Sequence, residues 1–444
     1  MFKYLPHTHA DIEAMLKKIG VSSIDELFRD VPASLKDFGE LDVPSAMSEL
    51  ELMNHMKLLA GMNKPLIPFM GAGAYDHYTP SIINHLINRQ EFLTAYTPYQ
   101  PEVSQGTLQY IFEYQSMITQ LTGLEVSNAS MYDGATATAE AMFMAHAIRR
   151  KQKEILVSET VNPNIMAVLR TYAEPQDIKL TMIDADDGQT SLEDLKRKLS
   201  DDVAGVIVQS PNVYGVIEDY EGYSEAIKEK KALFIINQDP STLSHLKTPG
   251  EYGADIAVGE AQSLGVPLSY GGPYIGYMAT LKKHMRKMPG RICGVTKDAD
   301  GKRAYVLTLQ AREQHIRREK ANSNICSNQS LMALFVTIYM ATMGKKGLYE
   351  AQQISYNHAH YLHAMLLKLP QFEAAFDRPF FKEFTLKSTI DTDLMNAKLQ
   401  KHGFLGPLDH GMFDENQKGL VTFAVTEKRT KEEMDALVRI LGGL

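Results

Sequence analysis

Apolar and polar positions follow two rhythms along this chain, and the changes between them mark out its organisation. Near the start, Ile12, Met15, Leu16 and Ile19 recur at steps of three and four, which places them on one face of a helix. Ser23 and Glu26 have the spacing of a capping box before a second short helix. The stretch "NKPLIPFMGAGAYDHYTP" (63–80) is broken by proline and glycine and reads as a linker or loop leading into a main domain. Helical spacing returns in "TLQYIFEYQSMITQLTG" (107–123), which stops at Gly123. After it come the short β-rich runs "EILVSE", "LTMID", "GVIVQSP", "LFIINQD" and "ADIAVG", separated by helical stretches such as "NIMAVLRTYAE" and "SLEDLKRKLS". Apolar strands joined by crossover helices predict a mostly parallel, doubly wound α/β sheet covered on both faces, with ligands gathered at the carboxyl ends of its strands. A long helical stretch is predicted over 310–368. Thr430 with Glu433 forms a capping box, and Met434, Leu437, Val438 and Leu441 share one face, so the chain ends as a strand and an amphipathic helix. The expected division is a helical N-terminal arm (1–65), a large α/β domain (66–305) and a C-terminal helical and small α+β domain (306–444).

Composition narrows the chemistry. The chain has 444 residues, 44% apolar and 23% charged, as in ordinary globular proteins. A net charge of -8 argues against nucleic acid or an anionic membrane as main partner, since both need clustered Lys and Arg. The apolar run "LMALFVTIYMAT" (331–342) is far short of the ~20 residues that span a bilayer, and the start lacks an unbroken apolar stretch, so a cytoplasmic location is expected. Cys293 and Cys326 form no CxxC pair and "HTH" (7–9) offers two ligands on a loop, so no metal is expected.

Among motifs, "GAGAYD" (71–76) has Asp76 where a dinucleotide fingerprint needs its third glycine. "SMYDGATATAEAMFMA" (130–145) sets Gly134 and Thr136 at a helix start, where free N–H groups suit a phosphate; a plain capped helix has the same pattern. Asp239 ends the strand "LFIINQD", where a carboxylate could meet the ring nitrogen of pyridoxal phosphate, although a strand-end Asp also serves as a cap or turn residue.

Four segments turn these hints into a resemblance: "FMGAGAYDHYTP", "TAYTPYQPEVSQGTLQYIFEYQSMITQLTGLEVSNASMYDGATATAEA", "GEYGADIAVGEAQSLGVPLSYGGPYIGY" and "LTLQAREQHIRREKANSNICSNQ". Spread from about residue 68 to 329, they resemble the N-terminal half of the glycine cleavage system P-protein family, or its first subunit where the family is split into two chains. The resemblance implies a type I pyridoxal-phosphate-dependent transferase fold. It also implies decarboxylation of glycine, with transfer of the aminomethyl group to the lipoyl arm of the H-protein. Expected partners are a lysine-bearing P-protein subunit 2, the H-protein, and the T- and L-proteins.

Counting back from Pro267 and Pro273, Gln262 takes the place of the Schiff-base lysine. No lysine lies between Lys247 and Lys282, and an amide nitrogen is no nucleophile. No histidine lies between His146 and His245, and Asn162 stands where a ring-stacking residue is expected. Gly134, Thr136, Asn162, Asp239 and Gln262 are therefore read as vestigial cofactor positions, with no catalytic residue in this chain and pyridoxal phosphate held covalently by the partner. Tyr96, Tyr99, Glu102 and Gln105 in "YTPYQPEVSQG", and Arg312 and His315 in "AREQHIRREK", are expected to line the interface and active site. Two alternatives stay open: a stand-alone enzyme using Lys247 or Lys282, and a regulatory binding protein.

Overall fold

The strand-like runs of the sequence assemble into one sheet. In a computed structural model that describes residues 4, 6–36, 42–94, 96–310, 313–321 and 323–444, seven strands pair: β1 (Val126–Ser127), β2 (Glu154–Ser158), β3 (Lys179–Ile183), β4 (Val203–Ser210), β5 (Leu233–Gln238), β6 (Ile256–Glu260) and β7 (Gly276–Thr280). Their order is β1-β7-β6-β5-β4-β2-β3. The run from β3 to β6 is parallel, and β7 is antiparallel to β6 and β1.

The near-continuous apolar runs are explained by burial on both faces. Ile155 and Val157, Ile207 and Ile235 join one core with helices Gly134–Ile148 and Pro163–Ala173. Their neighbours Leu156, Val206, Val208, Phe234 and Ile236 join a second, with Leu195, Tyr223 and Ile227 from helices Leu192–Lys198 and Tyr223–Glu229. A third core packs helix Gln105–Thr122, ended by Gly123 at φ +69°, against the long helix Ser330–Leu366.

The C-terminal region holds a four-stranded antiparallel sheet in the order Phe372–Ala374, Glu383–Ser388, Leu420–Ala424, Leu408–Asp409. Helix Lys431–Leu441 covers it, opened by the Thr430–Glu433 capping box, with Met434, Leu437, Val438 and Leu441 buried.

The stretch 310–368 departs from expectation. Among its described residues, Gln314–Arg317 is a single turn, the long helix begins only at Ser330, and it is broken at Gly344 (φ 59°, ψ -176°). Asn and Ser side chains in "ANSNICSNQ" compete for backbone partners and oppose helix there.

The contacts separate a unit Met1–Lys64 from Pro65–Leu444. The first unit has helices His9–Ile19 and Glu49–Gly61, each opened by a capping box, and its described residues are all at least partly exposed. Residues 25–28 form a 3-10 turn. Among the described residues, no helix is long and apolar enough to cross a membrane.

Candidate functional site

Two of the polar residues singled out above, Asp239 and Gln262, follow the carboxyl ends of β5 and β6. Gln262, two residues beyond β6, is wholly buried. Its Oε1 accepts from the Tyr75 N–H at 2.8 Å, and its Nε2 donates to the Tyr75 carbonyl at 2.8 Å and the Val266 carbonyl at 2.6 Å. Every polar group of the amide is thus committed to backbone, clamping the loop 71–77 into the pocket. A lysine could not reproduce this, because an ammonium accepts no hydrogen bond.

Asp239, immediately after β5, faces a cation that sequence reasoning missed. Lys382, with 3% of its side chain exposed, brings Nζ to 2.7 Å from Asp239 Oδ2. The same amine donates to Ser241 Oγ at 2.9 Å, meets His77 Nε2 at 2.9 Å and lies 4.0 Å from the Tyr75 ring centroid. His77 Nδ1 in turn lies 2.6 Å from Glu427 Oε2. Burial and the Lys382 charge hold His77 below its ordinary value against the pull of Glu427, so the ring is neutral: it donates from Nδ1 to Glu427 and accepts at Nε2 from Lys382.

The result is a buried chain of contacts in which the neutral His77 ring bridges the Glu427 carboxylate to the Lys382 cation, which in turn meets Asp239. Burial alone would raise both carboxyls. The Lys382 charge and hydrogen bonds from Lys382 and Ser263 leave Asp239 below its usual range, and His77 with the Tyr78 N–H brings Glu427 down to about 2. Beside them, Glu383 accepts from the Tyr75 hydroxyl at 2.6 Å and the Ala72 N–H at 2.8 Å. A Cβ at position 71 would lie 2.0 Å from Glu383 Oε1, which explains Gly71.

The phosphate-type turn is engaged internally as well. Asp133 caps helix Gly134–Ile148, its Oδ1 accepting from the Thr136 N–H at 2.7 Å. The Gly134 N–H donates to Glu260 Oε2 at 2.9 Å, while Glu260 Oε1 accepts from Gln262 and Ile275 N–H groups at 3.1 and 3.0 Å. Burial pushes the Glu260 carboxyl up to about 8 against the pull of these amides. A Cβ at position 134 would meet the Glu260 nitrogen at 2.6 Å, so the approach is tight. Asn162 caps helix Pro163–Ala173 through the Asn164 N–H and donates to the Ala72 carbonyl at 3.1 Å.

Pyridoxal phosphate, the cofactor of this fold, therefore does not fit this chain's own pocket. Asp239 is paired with Lys382, the Gly134 N–H with Glu260, Gln262 with Tyr75, and Asn162 with the Ala72 carbonyl. Lys382 is also the amine in this cluster, but three acceptors surround it as an ammonium. Lys247 lies over the Tyr252 ring at 4.5 Å, and the Lys282 N–H bonds Glu125; neither belongs to the cluster.

The expected wall residues lie elsewhere. Tyr96 is 82% and Tyr99 42% exposed, and Glu102 is exposed on the turn Pro101–Val103. The Arg291 guanidinium lies 5.5 Å from the Tyr99 ring centroid. Gln105 instead stitches backbone: Nε2 donates to the Pro101 and Tyr305 carbonyls at 2.8 and 2.9 Å, and Oε1 accepts from the Tyr305 N–H at 2.9 Å. Arg312, and the side chain of His315, fall outside what the structure describes.

A mostly parallel sheet of this order, helices on both faces and polar residues at the strand ends define the type I pyridoxal-phosphate-dependent transferase fold. A sphingosine-1-phosphate lyase of Burkholderia pseudomallei K96243 shares it, with TM-score 0.67 over 93% of this chain and 94% of its own at 14% identity, a likeness of fold alone. Much nearer is a crystal structure of glycine decarboxylase (P-protein) of the glycine cleavage system in inhibitor-bound form: TM-score 0.90, 42% identity, all of both chains covered. The probable glycine dehydrogenase (decarboxylating) subunit 1 of Moorella thermoacetica is 52% identical over 441 residues, 99% of either chain. That of Desulforamulus reducens is 48% identical over 445 residues, 100% of either. Residues 2–441 match the family described as glycine cleavage system P-protein. The chain belongs to that family.

Proposed function

We propose that the chain is the non-catalytic subunit of a two-chain glycine dehydrogenase (decarboxylating), working beside a lysine-bearing subunit 2 that holds pyridoxal phosphate covalently. The assembled enzyme decarboxylates glycine and hands the aminomethyl group to the lipoyl arm of the H-protein, with the T- and L-proteins completing a cytoplasmic system. Bound to the partner, pyridoxal phosphate supplies the electron sink for loss of CO2.

The observation that carries this reading is Gln262: in a family built on a lysine, the equivalent side chain here is an amide bonded three times to backbone. This chain's own part is to complete the partner's site. Tyr96, Tyr99 and Glu102 line it from an exposed, proline-stiffened loop, and Gln105 fixes that loop on the Tyr305 strand. Arg312 and the side chain of His315, expected as carboxylate- or phosphate-binding groups, lie outside the described residues.

The test is to purify the chain alone and with subunit 2, load pyridoxal phosphate, reduce with borohydride and map the labelled peptide while following glycine/CO2 exchange. Label on subunit 2 alone, with exchange only in the mixture, is expected. Label on this chain, or exchange by this chain unaided, overturns the proposal.

A further inference from the structure

Arg291 belongs to none of the groups described so far as lining a site, yet it is among the largest buried side chains, only 2% exposed. It immediately precedes strand Ile292–Lys297, and its guanidinium turns toward three segments remote in sequence. Nη2 lies 3.4 Å from Thr97 Oγ1, Nη1 3.4 Å from Asn328 Oδ1, and Nε 3.6 Å from Glu313 Oε2; Tyr99 offers its ring face.

A buried cation is costly unless its neighbours are placed to meet it, so the three segments are tied to one point. One of them is anchored again from below: Asn328 Nδ2 donates to Ser130 Oγ at 2.7 Å, and the Gln329 N–H donates to the same hydroxyl at 3.1 Å. Tyr96, Tyr132, Asn328 and Gln329 line a cleft of about 590 Å³ that Arg291 itself does not line. It reaches that surface only through the residues it holds.

We infer that Arg291 is a positioning residue for the shared active site, locking residues 97–99, Glu313 and Asn328 into one wall. The inference rests on the proposal that residues 96–102 line the partner's site. A lysine would not serve equally here, because its donors sit on one nitrogen, whereas the planar guanidinium reaches Thr97, Asn328 and Glu313 from three separate nitrogens.

The test uses the chain co-purified with subunit 2, with glycine/CO2 exchange measured against glycine in the presence of H-protein. Arg291→Met is expected to assemble and leave cofactor loading of the partner unchanged. Its KM for glycine should rise about tenfold with kcat altered far less, and Arg291→Lys should recover part of the loss. Chymotrypsin cleavage at Tyr96 or Tyr99 should quicken, because the loop has lost its tether. If Arg291→Met does not assemble, Thr97→Val, which removes one acceptor, should raise KM in the same direction. Parental KM and parental cleavage in the assembled variant overturn the inference, as does a loss of kcat and stability with the loop still protected. Combined Tyr96→Ala and Tyr99→Ala substitution separates the two ideas: parental kinetics there sinks the wall itself, whereas impaired kinetics there with a silent Arg291 variant sinks only the positioning role.

Discussion

Replacing Lys382 with methionine tests the internal filling of the pocket most directly. The substitution keeps the length of the stem and removes the ammonium that meets Asp239 at 2.7 Å, Ser241 at 2.9 Å and His77 at 2.9 Å. Breaking a buried ion pair from one side costs about 3–5 kcal/mol, mostly because the remaining charge stays buried without its partner. The cation over the Tyr75 ring is part of the same sum, since one charge serves both contacts. Asp239→Asn alone strands the ammonium and is expected to cost a similar amount. The double variant removes both charges and is expected to lie within about 1–2 kcal/mol of the parent, giving a coupling energy of at least ~4 kcal/mol. Urea unfolding followed by far-UV circular dichroism reads these differences, and a loss of 3–5 kcal/mol moves the midpoint by roughly 1 M or more. Were the Lys382 variant to lose less than about 1 kcal/mol, or the two single losses simply to add, the pair would not be what closes the pocket.

Two further outcomes follow from the same groups. The Glu427 carboxyl is held below its ordinary 4.5 in the folded chain, so its contribution to stability is fully present above pH 4.5 and is lost as pH falls through the lowered value. Glu427→Gln should lower stability at neutral pH and flatten the acid limb of a stability–pH curve; an unchanged acid limb would show that another group sets it. Gln262→Lys introduces an amine at the proposed lysine position but does not open the site, since Lys382 and Glu260 still engage Asp239 and Gly134. Dialysed after incubation with pyridoxal phosphate, that variant should retain no visible absorbance, and a persistent yellow band would mean that the pocket opens readily.

Much of the fold was legible because the strands β2 to β6 are buried on both faces and therefore read as short apolar runs, while Gly123 and Thr430 mark helix ends by their own chemistry. The antiparallel strand β7 was not legible: "IGYMAT" follows a turn rich in Gly and Pro, and nothing in its pattern states the direction of pairing. At the site, Gln262, Asp239 and Gly134 could be located by order along the chain. Lys382, His77 and Glu427 could not, because they come from positions some 140 to 350 residues away from their partners and carry no local motif. A signal existed only at "FMGAGAYDH": the run of small residues around Tyr75 fits a loop that must approach side chains closely, as Gly71 does Glu383.

On the proposed reading, physical necessity links the absence of a Schiff-base lysine to the presence of Lys382. Strand ends in this fold gather polar groups whether or not a ligand arrives, and a buried carboxylate such as Asp239 cannot stay charged without a partner. Where a cofactor is held, the ligand supplies that partner; where the covalent link is absent, the chain has to supply it. Lys382 does so for Asp239 and the Gly134 N–H finds Glu260, while the loop 71–77, clamped by Gln262, fills the space between. Because Lys382 and Glu427 flank strands of the C-terminal sheet while Asp239 and Gln262 follow strands of the large one, the same contacts fasten the two sheets together. On the proposed reading, a subunit that presents a fixed wall to a neighbour gains rigidity from the groups that would otherwise have met a cofactor.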